Sequence, residues 1–305
     1  MKIFILEKEG FSEKVIENIR NKFEIQNKLD CKTDIIICRL KYELNSKNLE
    51  NCSNLKFIVS PTTGTSHIDI EYCKKNKIKI LSLKNIPKKI NNIRSTSELT
   101  LFLIIALTRN LYLAESNYNK TGPKDRIKYR GRELSCLTIG IIGGGRIGGH
   151  LIEYLKSFQS KVIIYDIDNR VRSKYRGIFC SSLHELIKES DVISINADLN
   201  KTSENLISKE ELNLMKGKYL VNTSRAEIIN KKYLIEALER NFLKGFATDV
   251  FWDEQNLTNY DKDLLNLKRA KRNIILTPHL GGCTIDAMNK TEELIFDLLE
   301  EVLKQ

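Results

Sequence analysis

Among the four histidines of the sequence, His279 stands in the setting best suited to chemistry. It ends the apolar run NIILTPH and is followed by Leu280-Gly281-Gly282, so its imidazole would sit on a rigid turn at a strand end, where a proton can be handed over in fixed geometry. His67 falls in a polar turn after Pro61, His150 on a helical stretch and His184 near a helix start, settings that suit a surface or hydrogen-bonded histidine better than a reacting one.

A second constellation is built to hold phosphate. Gly143-Gly144-Gly145-Arg146-Ile147-Gly148 follows the apolar run TIGII and opens a helical stretch, the strand, turn and helix context that gives a G-x-G-x-x-G pattern its meaning. Gly143 would permit the tight turn, Gly145 the approach of backbone to a pyrophosphate, and Gly148 the close packing of helix on strand. Arg146 and Ile147 begin the helix, whose unpaired N–H groups and positive dipole end would face the phosphates. The next apolar run, KVIIYD, ends in Asp166, placed to accept hydrogen bonds from an adenosine ribose and to repel a 2′-phosphate. The expected cofactor is therefore NAD rather than NADP, although Arg170 and Arg172 lie just beyond.

These residues need strand ends to carry them, and the sequence supplies two series. Apolar runs alternate with helix-like stretches, the signature of α/β folds with parallel sheets. The first series is KIFIL, an amphipathic stretch from Ser12 to Phe23, IIIC at 35–38, FIVS at 57–60 and IKIL at 78–81, with Gly64 marking a turn after FIVS. One long helix is expected from about Ser95 to Asn117. The second series runs TIGII, KVIIYD, DVISIN, KYLVN, GFATDVF and NIILTPH, enough strands for a doubly wound sheet, and a last helix covers Thr284 to Leu303.

Composition excludes several other classes. With 41% hydrophobic and 29% charged residues the chain is neither disordered nor fibrous. The formal net charge of +11 is scattered, and its densest cluster, Arg170, Arg172, Lys174 and Arg176, has no adjacent aromatic platform, so a general preference for acidic substrates is expected and no nucleic acid. The seven cysteines never form C-x-x-C, which predicts buried thiols of a reducing cytoplasm and no metal site. The apolar run from Leu99 to Thr108 is too short to span a bilayer and ends in Arg109, so no membrane association is expected.

The segments RGRELSCLTIGIIGGGRIGG, KYLVNTSRAEII, GFATDVFWDE and NIILTPHLGGCT, with PTTGTSHID and RSTSELTLFLIIALTRNL before them, resemble the D-isomer-specific 2-hydroxyacid dehydrogenases in order and spacing over nearly the whole chain. The resemblance is to a short form, without a regulatory extension. It implies two Rossmann-like domains with parallel sheets: a dinucleotide-binding domain over 95–284, inserted into a flavodoxin-like substrate domain made of 1–94 and 285–305. It also implies a homodimer, and hydride transfer between NAD and a small 2-hydroxy or 2-oxo acid, with phosphoglycerate and other anionic acids among the candidates.

The same resemblance distributes the roles. His279 would protonate the carbonyl oxygen, Glu254 would hydrogen-bond His279 and favour its imidazolium, and Arg225 would grip the substrate carboxylate with its planar fork. Backbone N–H groups around Thr63 and Gly64 would hold that carboxylate from the substrate domain, with Arg39 as a further substrate-facing group. Asp249 would orient the nicotinamide carboxamide, and Thr223, Ser203 and the Asn196-Ala197-Asp198 loop would line the cofactor groove. Three positions depart from the family's pattern: Ala226 replaces a glycine, Gln255 a proline, and Asn196-Ala197-Asp198 a His-x-Pro, which sets an acid near the cofactor. Because relatives of this fold serve as corepressors, an NAD-sensing binding protein is the alternative.

Overall fold

The computed structural model describes residues 1–252, 254, 262–270 and 272–304. Its contacts divide the chain into two units, one made of Met1–Ile93, Glu254–Leu257 and Cys283–Gln305, the other of Arg94–Asp253 and Thr258–Gly282.

Among the described residues the first unit carries five parallel strands, β1 (Lys2–Ile5), β2 (Glu24–Ile25), β3 (Ile35–Ile37), β4 (Phe57–Ser60) and β5 (Lys79–Ser82), in the order β2-β1-β3-β4-β5. That is the flavodoxin-like order. Its strands are apolar on both faces because helices cover both. Ile35 and Ile37 point into one core with Ile3, Ile5, Val15 and Ile19, whereas Ile36 and Cys38 point into the other with Ile58, Leu49 and Cys73. The helix Ile285–Leu303 returns to this unit and adds Ile295, Leu298 and Leu299 to the first of those cores.

The second unit has, among the described residues, six parallel strands, β6 (Thr138–Ile142), β7 (Lys161–Tyr165), β8 (Val192–Ile195), β9 (Tyr219–Asn222), β10 (Gly245–Thr248) and β11 (Ile274–Leu276), in the order β11-β10-β9-β8-β6-β7. A single bridge, Ile164 to Phe179, with Cys180 N donating to Ile164 O at 2.7 Å, stands where a further strand beside β7 would lie. Counting it, the order is that of a Rossmann sheet, and the sequence of strands reverses direction between β6 and β8. Ligands of such sheets bind at the carboxyl ends of the strands around this reversal.

Two expectations need correction. The helix expected from Ser95 to Asn117 is two helices, Ser95–Thr108 and Leu111–Thr121, with a 63° bend between them. Asn110 adopts a left-handed conformation, φ 52°, which asparagine tolerates better than most residues. The carbonyls released by the break find other donors: Arg132 N reaches Thr108 O at 2.9 Å and Asn273 Nδ2 reaches Leu107 O at 3.0 Å. Among the described residues no single helix is long and apolar enough to cross a membrane. The cysteines are free thiols, but Cys31, Cys136 and Cys283 are exposed; only Cys38, Cys52, Cys73 and Cys180 lie in the interior.

Candidate active site

The turn after β6 has the steric character its glycines suggested. Gly143 has φ 95°, and a Cβ there would come within 2.7 Å of Ala197 N. A Cβ on Gly148 would stand 2.0 Å from Gly143 O, so a side chain there would push the helix Arg146–Ser157 off the strand. Gly145 has nothing within 4 Å of its Cβ position, leaving space beside the helix N-terminus for a phosphate to approach the backbone.

Asp166, at the end of β7, accepts Gly144 N at 2.8 Å through Oδ2 and Asp168 N at 2.9 Å through Oδ1. Each oxygen thus holds one protein hydrogen bond and keeps a lone pair for a ribose hydroxyl. Arg170 is turned to Asp168, Nη2 to Oδ2 at 2.7 Å, and is 91% exposed. Arg172 stacks over the Phe179 ring at 5.6 Å.

Opposite the glycine turn, the Asn196–Asp198 segment is fastened by Ser203, whose Oγ donates to Asp198 O at 2.6 Å while accepting Asn200 N at 2.8 Å. Burial lowers the Arg146 guanidinium from its usual pKa and the Asp198 carboxylate pushes it the other way. The Asp198 carboxylate therefore acts on Arg146, at the end of the glycine turn.

Arg225, Asp249 and His279 follow the carboxyl ends of β9, β10 and β11, adjacent strands in which Thr248 is in register with both Asn222 and Leu276. The Asn222 side chain shapes the first of these ends, accepting Ser224 N at 3.0 Å and donating to Arg225 O at 2.9 Å. Arg225 is half-buried and donates from Nη1 to Ser224 O at 2.6 Å. Thr223 is buried against Thr100, hydroxyl to hydroxyl at 2.7 Å, and the Ala226 methyl is buried as well.

His279 is a non-glycine residue at φ 55°, and the turn that holds it there is pinned by Asp249. Asp249 is 1% exposed; Oδ1 accepts the Thr277 hydroxyl at 2.6 Å and Leu280 N at 2.7 Å, and Oδ2 accepts Gly281 N at 2.7 Å. Burial raises its carboxyl above the usual range, against the pull of Thr277, the Leu280 and Gly281 amides and His279. Sequence reasoning assigned Asp249 to the cofactor and did not see this clamp. The only available signal was an acid at a strand end beside a turn rich in free amides.

Glu254 is half-buried and groups with the first unit, whereas Arg225 and His279 belong to the second. Gln255 lies outside the described residues. In the first unit, Thr63 and Gly64 follow β4, and among the described residues the N–H groups of Thr63, Gly64 and Thr65 donate to no protein acceptor. Arg39 has a structural engagement: Nε donates to Gly10 O at 2.9 Å, Nη2 pairs with Glu292, and the guanidinium lies 4.8 Å from the Phe11 ring centre. Of the remaining histidines, His67 and His150 are buried, the former with Nε2 3.6 Å from Cys38 Sγ, and His184 Nε2 is 2.8 Å from Glu211.

The family model described as D-isomer specific 2-hydroxyacid dehydrogenase, NAD binding domain, matches residues 101–281. The chain is 31% identical over 299 residues to glyoxylate reductase of Thermofilum pendens, covering 96% of this chain and 81% of that protein. Among solved structures it is similar to D-lactate dehydrogenase from Aquifex aeolicus complexed with NAD and lactic acid, with TM-score 0.84, 29% identity, and coverage of 100% and 96%. It is also similar to NAD-dependent formate dehydrogenase from Staphylococcus aureus in complex with NAD, with TM-score 0.82, 26% identity, and coverage of 99% and 96%.

Proposed function

The chain belongs to the D-isomer-specific 2-hydroxyacid dehydrogenases, NAD-dependent oxidoreductases, and from that membership we propose that it reduces a small, unphosphorylated 2-oxo acid to the D-2-hydroxy acid. The observation that carries this reading is the placing of Arg225 and His279 at carboxyl ends of the same sheet whose β6 end bears the glycine turn. Bound NADH supplies the hydride. Arg225 holds the carboxylate and polarises the neighbouring carbonyl, His279 delivers the proton to the carbonyl oxygen, and Glu254 assists His279 in that transfer. The unengaged amides of Thr63 and Gly64 receive the carboxylate as well.

Arg39 favours the unphosphorylated class, since a guanidinium joined to Gly10 and Glu292 has less to offer a phosphate. The names of the similar proteins, glyoxylate reductase and D-lactate dehydrogenase, point to the same size of substrate. We read the chain as a cytoplasmic homodimer whose contact surface includes Phe102, Leu111, Tyr118 and Ile127, which expose apolar area over the bent helix pair and the segment after it. Light scattering behind a sizing column tests the dimer.

The test of function is absorbance loss from NADH with glyoxylate, pyruvate, hydroxypyruvate and 3-phosphohydroxypyruvate. Turnover with one of the first three supports the reading. A strong preference for the phosphorylated acid overturns the substrate class, and silence with all four despite NADH binding favours a sensor of the cofactor.

A further inference from the structure

The loop after β4 contains a hydroxyl relay. Ser60, at the end of β4, is fully buried, and its Oγ lies 2.8 Å from Thr62 Oγ1; Thr62 Oγ1 donates to Gly64 O at 2.7 Å. A hydroxyl has one hydrogen, and Thr62 gives its own to Gly64, so Ser60 is the donor of the first bond. The relay therefore runs in one direction, from the buried strand end outward to a carbonyl of the loop. The Thr62 main chain is fixed separately, its carbonyl accepting Leu83 N at 3.0 Å.

The consequence lies in the peptide plane. In a trans peptide the carbonyl of one residue and the N–H of the next point in opposite directions. Holding Gly64 O back toward Thr62 turns the Thr65 N–H away from the strand end. The N–H groups of Thr63, Gly64 and Thr65 lie in the middle of a run of consecutive amides, Thr62 to Ser66, that find no acceptor among the described residues, and all three residues are partly exposed. Consecutive unpaired amides form an anion-receiving concavity only if their peptide planes are held in place.

We propose that Thr62 is a positioning residue for substrate: its hydroxyl, driven by Ser60, fixes the Gly64–Thr65 peptide so that the loop's amides face the carboxylate of the 2-oxo acid. This rests on the reading that the carboxylate binds at Thr63 and Gly64. Thr62 touches no reacting atom, so its loss weakens carboxylate binding and leaves the chemical step and the cofactor alone.

The experiment uses the whole protein with NADH bound, titrated with oxamate, a 2-oxo acid mimic that is not reduced. Binding is followed by the amide resonances of Thr63, Gly64 and Thr65 and by NADH fluorescence. Thr62→Val keeps the shape and removes the hydroxyl, while Thr62→Ser restores it. The expected result is an oxamate Kd and a 2-oxo acid KM raised about tenfold in Thr62→Val, the scale of one hydrogen bond, with kcat and NADH affinity changed less than about twofold and Thr62→Ser close to the parent. Thr62→Val matching the parent, or Thr62→Ser failing as badly as Thr62→Val, overturns the relay. If oxamate leaves all three amides unmoved in the parent protein, the carboxylate does not bind there and the underlying reading falls with it. A Thr62→Val protein that does not fold leaves the Thr62→Ser comparison and the parent titration; a Thr62→Ser protein with a raised KM then counts against the relay.

Discussion

Replacing Asp249 should disturb His279 without touching it. The carboxylate is surrounded by donors, namely the Thr277 hydroxyl and the Leu280 and Gly281 amides. In an Asp249→Asn protein the new side chain would have one acceptor oxygen for the Thr277 and Leu280 side, and its amide would then meet the Gly281 N–H donor to donor. One buried N–H is left without an acceptor, which costs about 1–3 kcal/mol. Part of that is offset, because the native carboxylate is itself held in a site that disfavours its charge. Since the folded-state pKa is raised, the cost of the charge is present above that pKa and is relieved as pH falls through it toward the unfolded value. The Asp249→Asn variant should therefore be destabilised by about 1–2 kcal/mol at neutral pH, and Asp249→Ala, which abandons all three donors, by more than about 3 kcal/mol. Urea unfolding measures both. Turnover should fall in each variant, because His279 occupies a left-handed conformation that this turn has to enforce. If both proteins keep parental stability and kcat, Asp249 does not hold the turn.

Changing His279→Ala should lower kcat by at least about a hundredfold with NADH binding retained, and near-normal turnover would remove it from the chemistry. If Glu254 assists His279 in proton transfer, Glu254→Gln should lower kcat for 2-oxo acid reduction in steady-state assays with NADH binding retained; an unchanged kcat argues against the pair. Arg225→Lys keeps charge but loses the planar fork, and both a higher KM and a lower kcat are expected in steady-state assays, whereas unchanged constants would make Arg225 structural. Asp166→Ala should narrow the preference for NADH over NADPH in kcat/KM, and a parent enzyme that already prefers NADPH contradicts the role given to Asp166.

Strands buried on both faces were the most legible part of the chain. FIVS and TIGII became β4 and β6 residue for residue, because unbroken apolar runs of that length suit little else. The glycine turn was legible because Gly143 and Gly148 answer local steric demands of the fold. The break at Asn110 was hidden, since apolar residues resume at Leu111-Tyr112-Leu113 directly after it, and the donors that stabilise the break come from Arg132 and Asn273, distant in sequence. The strand reduced to one bridge at Phe179 is too short to carry a period. The Asp249 clamp and the Thr62 relay depend on which amides a fold leaves unpaired, and no spacing rule encodes that. Arg39 illustrates the converse: its position suggested a ligand, but its partner Glu292 comes from the other end of the chain.

That last partnership bears on the order in which the protein is made. Residues 1–93 leave the ribosome before the helix Ile285–Leu303, and until it follows one face of their sheet lacks Ile295, Leu298 and Leu299, and Ser12, at the start of the helix Glu13–Lys22, lacks the Glu292 oxygen that accepts both its N–H and its hydroxyl. The intervening segment, by contrast, contains its own sheet and cores and can close as it emerges. The nascent unit of residues 1–93 keeps apolar surface uncovered until the helix Ile285–Leu303 has emerged. A ribosome stalled before Ile285 would leave a finished nucleotide-binding half joined to an unfinished one, a species that chaperones would have to shield.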